Sequence, residues 1–249
     1  MNNKSNKVNA AVIIIGNEIL SGRTKEINLS RISLWLNELG VRVEESRIIL
    51  DVESEIIKCV NELRKKYYYV FTSGGIGPTH DDITSESISK AFDLKYEFHK
   101  EAFNILEKYY EPGEFTEGRQ KMAKMPSNAK LIYNPSSGAP GFIVENVFSL
   151  PGVPSILESM LGGLKDKISG GNPIISYTIK LRTVESEIAK ALEKVQNDNK
   201  NVEIGSYPFF KSGKIGVSIV LRSEEQKKID KCNHEILKFV SEKKISIID

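Results

Sequence analysis

The residues of this 249-residue chain that could do chemistry concentrate in Ser73-Gly74-Gly75-Ile76-Gly77-Pro78-Thr79-His80-Asp81-Asp82-Ile83-Thr84. Glycines at 74, 75 and 77 let backbone N–H groups turn toward one point, and a helix beginning just behind them adds a partial positive charge. Ser73 to Gly77 can therefore cradle a phosphate without a large basic patch. Asp81 and Asp82 would repel that anion unless a divalent cation lay between them. Mg2+ or a similar hard ion takes one or two carboxylates and completes its shell with phosphate oxygens, which is the ligand set on offer here. Thr84 adds a hydroxyl donor. The plainer alternative is that Asp81 or Asp82 caps a helix starting near Ile83, with Thr84 in its first turn.

Positioning these groups requires strands that end at one edge. Ala10 to Ile15 is a continuous apolar run ending at Gly16, the pattern of a parallel strand covered on both faces. Leu29, Ile32, Leu36 and Leu39 recur at helical spacing before Gly40, a helix stopped by glycine. A strand over 41–50, a helix over 53–66 and a strand over 67–72 follow, the last running directly into the glycine loop. Ser85 to Phe92 reads as helix, as does Lys100 to Tyr110. Leu131 to Tyr133, Phe142 to Val144 and Val147 to Leu150 read as strands, and a last helix runs through Leu164. The alternation predicts an α/β fold, an open mostly parallel sheet wound with helices, whose ligand crevice lies beyond the carboxyl ends of the strands. The breaker cluster Ser169 to Pro173 divides this domain (1–169) from a small α+β domain (173–249) with strand, helix, strand, strand, helix order, resembling part of a ferredoxin-like arrangement.

In such a sheet Gly16-Asn17-Glu18 at the end of the first strand and Asp51 at the end of the second project toward the same crevice as the glycine loop, although Asp51 also suits a plain helix cap. Arg23, Lys25, Asn28 and Arg119-Gln120 are further polar candidates that also read as solvated faces. His80, His99 and His234 are too scattered for a metal triad. Tyr67 to Tyr69 and Trp35 read as packing residues.

Composition excludes several function classes. Hydrophobic residues make up 40% and charged residues 27%, as in an ordinary globular chain, and 35 Lys+Arg against 33 Asp+Glu leave +2. No arm of clustered cations appears, so neither nucleic acid nor a membrane surface is an expected partner. Cys59 and Cys232 lie far apart in sequence, which argues against a disulfide framework or local zinc pattern and for the reducing cytoplasm. Met1 to Lys7 is polar, and the apolar run from Val8 to Ile15 is too short for a membrane span and has no cleavage site behind it.

Gly16-Asn17-Glu18-Ile19-Leu20-Ser21-Gly22, the Gly74 to Thr84 string, Arg119-Gln120, Gly138-Ala139-Pro140-Gly141-Phe142 and Leu150-Pro151-Gly152-Val153-Pro154 together resemble the molybdopterin-binding-like domain at the N-terminus of CinA proteins, in the MoaB/MogA superfamily. The Thr-His-Asp-Asp form and Gly205-Ser206-Tyr207-Pro208 look most like the corresponding region of animal FAD synthetase. The resemblance implies a metal-dependent pyrophosphatase acting on ADP-ribose or FAD, with Mg2+, Mn2+ or Co2+ and no organic cofactor. It also implies a pocket wall from Gly138, Ala139, Pro140, Pro151 and Gly152, and self-association. The nicotinamide-nucleotide amidase of CinA and the adenylyl-transfer domain of FAD synthetase have no counterpart in this sequence, so neither activity is expected.

The sequence departs from the usual Gly-Asp-Glu by having Asn17, and from Thr-Asn by having Ile27 before Asn28. The expected reaction is hydrolysis of an ADP-containing dinucleotide or sugar to AMP and a second phosphate ester. In that reaction a cation would be held by Asp82 with Asp51 or Asp81, Glu18 would orient water, and Ser73, Gly74, Gly75, Gly77, Thr84, Asn28 and Arg119 would bind substrate. Two competitors are a pterin or nucleotide binding module without hydrolysis, which Asn17 favours, and adenylyl transfer in molybdenum-cofactor synthesis.

Overall fold

The computed structural model describes residues 8–211 and 213–248. The polar Met1 to Lys7 stretch lies outside the described residues. The chain divides into two compact units between Gly171 and Asn172.

The first unit is built on β1 (Val8–Ile15), α1 (Asn17–Leu20), α2 (Asn28–Glu38), β2 (Val41–Ile49), α3 (Glu53–Lys66), β3 (Tyr69–Ser73), α4 (Thr84–Ala91), β4 (Tyr96–Phe98), α5 (Lys100–Tyr109), α6 (Glu117–Lys121), β5 (Lys124–Pro126), β6 (Lys130–Ile132), β7 (Gly141–Val144), β8 (Val147–Leu150) and α7 (Pro154–Leu161). Its six-stranded sheet has the order β2-β1-β3-β8-β7-β6. β2, β1, β3 and β8 run parallel, and β7 is antiparallel to both its neighbours. The mostly parallel, helix-wound sheet expected from the sequence is present.

The unbroken apolar run of β1 follows from burial on both faces. Ala11, Ile13 and Ile15 pack with Ile56, Val60 and Leu63 of α3 and Ile88 of α4. Ala10, Val12 and Ile14 pack on the other side with Ile32 and Leu36 of α2 and Leu157, Met160 and Leu161 of α7. On that side Phe71 stacks on Phe148 with centroids 4.9 Å apart, and Trp35 meets the Phe71 ring edge-on. Trp35 is thus a packing residue.

The third strand begins at Tyr69, so Tyr67 and Tyr68, expected to be part of it, lie before it. Tyr67 follows α3, and its hydroxyl donates to Glu45 Oε2 at 2.7 Å. Glu45 also accepts from Lys66 Nζ at 2.7 Å and from Arg47 Nε at 2.8 Å, which ties α3 to the edge strand β2. Hydrogen bonds from Lys66, Tyr67 and Arg47 hold the Glu45 carboxyl well below its ordinary 4.5, at about 2. A depressed carboxylate pKa stabilises the fold above about 4.5, and that stability is lost as pH falls toward about 2. Glu45→Gln is expected to cost ~1 kcal/mol at neutral pH in chemical denaturation, a value already reduced for solvent screening. The gap should close as pH falls through that window; a gap independent of pH would contradict the network.

The second unit comprises β9 (Ile175–Arg182), α8 (Glu185–Asp198), β10 (Glu203–Lys211), β11 (Lys214–Ser223), α9 (Gln226–Glu242) and β12 (Ser246–Ile248). Its antiparallel sheet has the order β10-β11-β9-β12. The three-residue β12, too short for a periodic signal, adds a fourth strand and completes a ferredoxin-like order. Both cysteines are free and buried. Among the described residues no helix is long and apolar enough to cross a membrane.

Candidate functional site

The carboxyl ends of β1, β2, β3 and β8 deliver the sequence-expected residues to one edge of the sheet, where parallel α/β folds place their ligand crevice. Two backbone bonds align the strand ends: Gly16 N–H donates to Ile49 C=O at 3.2 Å, and Gly74 N–H donates to Leu150 C=O at 3.1 Å. The segment carrying Gly138, Ala139 and the buried Pro140 belongs to the same edge, because Phe142 of the antiparallel β7 pairs with Ser149 near the end of β8. Asn134 closes that turn, donating to Ala139 C=O and accepting from Ser136 and Ser137 N–H.

Asn28, at the start of α2 and buried, organises the middle of the crevice. Its Nδ2 donates to Ser73 Oγ at 2.9 Å and to Gly152 C=O at 2.7 Å, while Ser73 Oγ donates to Pro151 C=O at 3.2 Å. Asn28 Oδ1 has no partner among the described residues. A buried acceptor left open is costly, so it marks a place where a ligand donor or water belongs.

The glycine loop leaves β3 with three successive backbone donors, Gly75, Ile76 and Gly77, that find no acceptor among the described residues. Thr84 N–H donates to Gly75 C=O at 2.9 Å and folds the start of α4 back onto the loop. The fully buried Thr84 hydroxyl has no partner among the described residues and lies 2.1 Å from where a Cβ on Gly75 would fall. With φ at +70°, position 75 accepts only glycine, because any side chain would be strained and would displace the hydroxyl.

Neither acid caps α4. Its N-cap is Ile83, with no side-chain hydrogen bond. Asp82 Oδ2 instead accepts from Thr79 N–H at 2.8 Å and from Thr79 Oγ1 at 2.5 Å, beside Gly77. A hydroxyl carries one proton and serves one acid at a time. The Thr79 hydroxyl is also the main influence holding the exposed Asp81 carboxyl below the ordinary range, aided by Asp81's own N–H, His80 and Lys121. Lys121 of α6 donates to Thr79 C=O and steadies the same turn.

Asp51 and Asn17 are reciprocally paired: Asn17 N–H donates to Asp51 Oδ2 at 2.8 Å, and Asp51 N–H donates to Asn17 Oδ1 at 3.3 Å. Partial burial pushes the Asp51 carboxyl up, as do the charges of Glu18, Asp81 and Asp82, with the Asn17 bond opposing. Four acids from three strand ends therefore share one electrostatic field. The Glu18 carboxylate folds over Gly16, 2.6 Å from where a Cβ would stand. No three His, Cys, Asp or Glu among the described residues form a ready-made cation group. The donor set suits an ion of the Mg2+ type, which takes one or two carboxylates and relies on ligand phosphates for more.

Arg119 is engaged by its own neighbours. Its guanidinium donates to Glu114 C=O at 2.5 Å and lies 4.2 Å from the Tyr110 ring centroid. Its neighbours Gln120 and Lys121 instead line an open depression with Thr79, His80, Phe98 and Lys124. Lys121 carries no sequence signal, since beside Arg119-Gln120 it reads as part of a solvated helix face.

The family model described as "Probable molybdopterin binding domain" matches residues 11–168. The chain belongs to the molybdopterin-binding-domain family. Residues 173–248 match the family described as "FAD synthase, middle domain", so the resemblance to both CinA-like proteins and FAD synthase holds. This molybdopterin-binding-domain protein is 34% identical over 217 residues to a protein from Archaeoglobus fulgidus, covering 87% of this chain and 92% of that one. A protein from Thermoplasma volcanium is 33% identical over 205 residues, covering 80% of each. Among solved structures, one described as the protein CinA with unknown function from Thermoplasma acidophilum matches with TM-score 0.61 and 35% identity, covering 66% of this chain and 99% of that chain.

Proposed function

We propose that the protein is a divalent-metal-dependent pyrophosphatase that hydrolyses an ADP-containing dinucleotide or sugar, such as ADP-ribose or FAD, to AMP and a second phosphate ester. The observation that carries this reading is the placement of three open N–H groups, Gly75 to Gly77, beside acids that already raise the Asp51 carboxyl. Donors in a row bind phosphoryl oxygens, but adjacent carboxylates repel them, and the two coexist on one ligand when a cation lies between.

Mg2+, Mn2+ or Co2+ held by Asp82 with Asp51 or Asp81 would neutralise the diphosphate and acidify bound water. The chain's own residues do the rest. Gly75, Ile76 and Gly77 N–H groups, with the Thr84 hydroxyl, bind the charge that builds on the phosphoryl oxygens. Glu18 orients a water for in-line attack on one phosphorus and takes its proton, as the bond from that same phosphorus to the bridging oxygen breaks and the other phosphate leaves with that oxygen. Asn28 holds Ser73 and Gly152 in place and offers Oδ1 to a ligand donor. The segments Gly138 to Pro140 and Pro151 to Gly152 wall the nucleoside or pterin part.

Incubation with ADP-ribose or FAD is expected to release AMP with added Mg2+, Mn2+ or Co2+ and none in chelator; metal-independent release would overturn the reading. The competing reading, a pterin or nucleotide binding module, is favoured by Asn17, whose amide supplies no charge where it holds Asp51. Asn17→Asp adds a carboxylate there while keeping an acceptor for Asp51 N–H. The metal concentration for half-maximal AMP release is expected to fall on the order of tenfold, since cation affinity follows ligand charge. An unchanged or higher requirement would remove position 17 from the cation's surroundings.

A further inference from the structure

We propose that the open face of the second unit's sheet binds single-stranded nucleic acid, independently of the crevice in the first unit. One face of this sheet is closed: Ile179 and Leu181 of β9 and Val217, Ile219 and Leu221 of β11 pack under Ile188 and Val195 of α8 and Ile229, Cys232 and Ile236 of α9. Strand alternation sends Thr178, Lys180 and Arg182 of β9 to the other face, where all three are exposed. Tyr207 and Phe209 of β10 share that face, paired in register with Ser218 and Gly216 of β11.

Two glycines shape the aromatic pair. The Tyr207 ring lies over Gly205, and the Phe209 ring lies over Gly216, each closer than 3 Å to where a Cβ would stand. Bare backbone leaves room for the rings to lie along the sheet, and Tyr207 is 48% exposed. Their attachment points, two residues apart on one strand, are about 7 Å apart. Each ring can take one unstacked base, and such stacking tolerates any sequence because every base has a π face.

Charge selects the occupant. Among the described strand side chains the charged ones are Lys180, Arg182, Lys214 and Arg222 against Glu203, which pairs with Arg222 at 3.9 Å. The acids of this unit lie chiefly on the helices behind. A second copy of the same face would set these cations against one another. A duplex buries its bases from a flat surface, and an acidic peptide leaves the rings unused. A single strand brings phosphates to the cations and bases to the rings. The near-zero charge of the whole chain, which spoke against nucleic acid as a partner, averages over this mainly cationic face.

The test is fluorescence anisotropy of the full chain with labelled twelve-nucleotide oligo-U RNA and oligo-dT. Saturable binding is expected, with affinity falling as salt rises. Tyr207→Ala should weaken it by about tenfold or more while Tyr207→Phe retains it. Lys180→Gln combined with Arg182→Gln should lower the slope of log affinity against log salt by about 1.4. Circular dichroism checks that each variant is folded. The proposal is overturned by no saturable binding at ~100 µM protein in low salt, by a folded Tyr207→Ala chain that binds as tightly as wild type, or by polyglutamate competing as well as the oligonucleotide. Concentration-dependent dimerisation lost in Tyr207→Ala, without oligonucleotide binding, would assign the face to a second copy instead.

Discussion

Asp82→Asn is expected to lower AMP release on the order of 10²–10⁴-fold while leaving the fold intact. Asp82 lies against the glycine cradle, its Oδ2 2.7 Å from where a Cβ on Gly77 would lie. Its Oδ2 accepts from both the N–H and the hydroxyl of Thr79. Asparagine keeps an acceptor for that turn and removes only the charge, which separates it from Asp82→Ala, where loss of the turn would confuse the result. Product assay gives the rate, and thermal unfolding shows that structure is retained. Turnover at the wild-type rate in folded Asp82→Asn would remove this carboxylate from the reaction.

Gly74→Ala is expected to carry the largest stability effect of any single methyl added to the crevice, about 3–5 kcal/mol in chemical denaturation. At φ +109° the new Cβ would fall 2.1 Å from the Ile15 carbonyl oxygen, in the middle of the sheet. Gly74 N–H is bonded to Leu150 C=O, so the backbone cannot retreat without parting β3 from β8. Gly22→Ala serves as the control. Its φ is +74° but nothing among the described residues stands within 4 Å of the added Cβ, so it should cost only the backbone strain, about 1 kcal/mol. Equal costs at the two positions would show that backbone strain, and not the meeting with Ile15, limits residue 74.

Much of the framework is legible in the sequence because it is local or periodic. The β1 run must be buried on both faces, and the glycine loop lies where its residues put it, between β3 and α4. What escapes is either short or long-range. α1, α6, β4, β5 and β12 have three to five residues each, below the length at which periodicity speaks. Tyr67 reads as strand because aromatic residues favour strands, yet its hydroxyl bonds Glu45 beyond the end of α3. The link from Asn28 to Gly152 spans 124 positions, and no local pattern announces it. Arg119 illustrates the converse: its place in a motif suggests substrate, while its guanidinium is committed to Glu114 and Tyr110.

Proposed ligand roles depend on one relation, that the acids and the open N–H row act on a single diphosphate through a shared cation. Calorimetric titration of a non-hydrolysable methylene-bridged analogue of ADP-ribose into the protein, with and without Mg2+, measures that relation without turnover. Mg2+ is expected to strengthen binding on the order of tenfold or more in wild type and to have no effect in folded Asp82→Asn. Equal affinity in the presence and absence of Mg2+, or a Mg2+ effect that survives in Asp82→Asn, would contradict it.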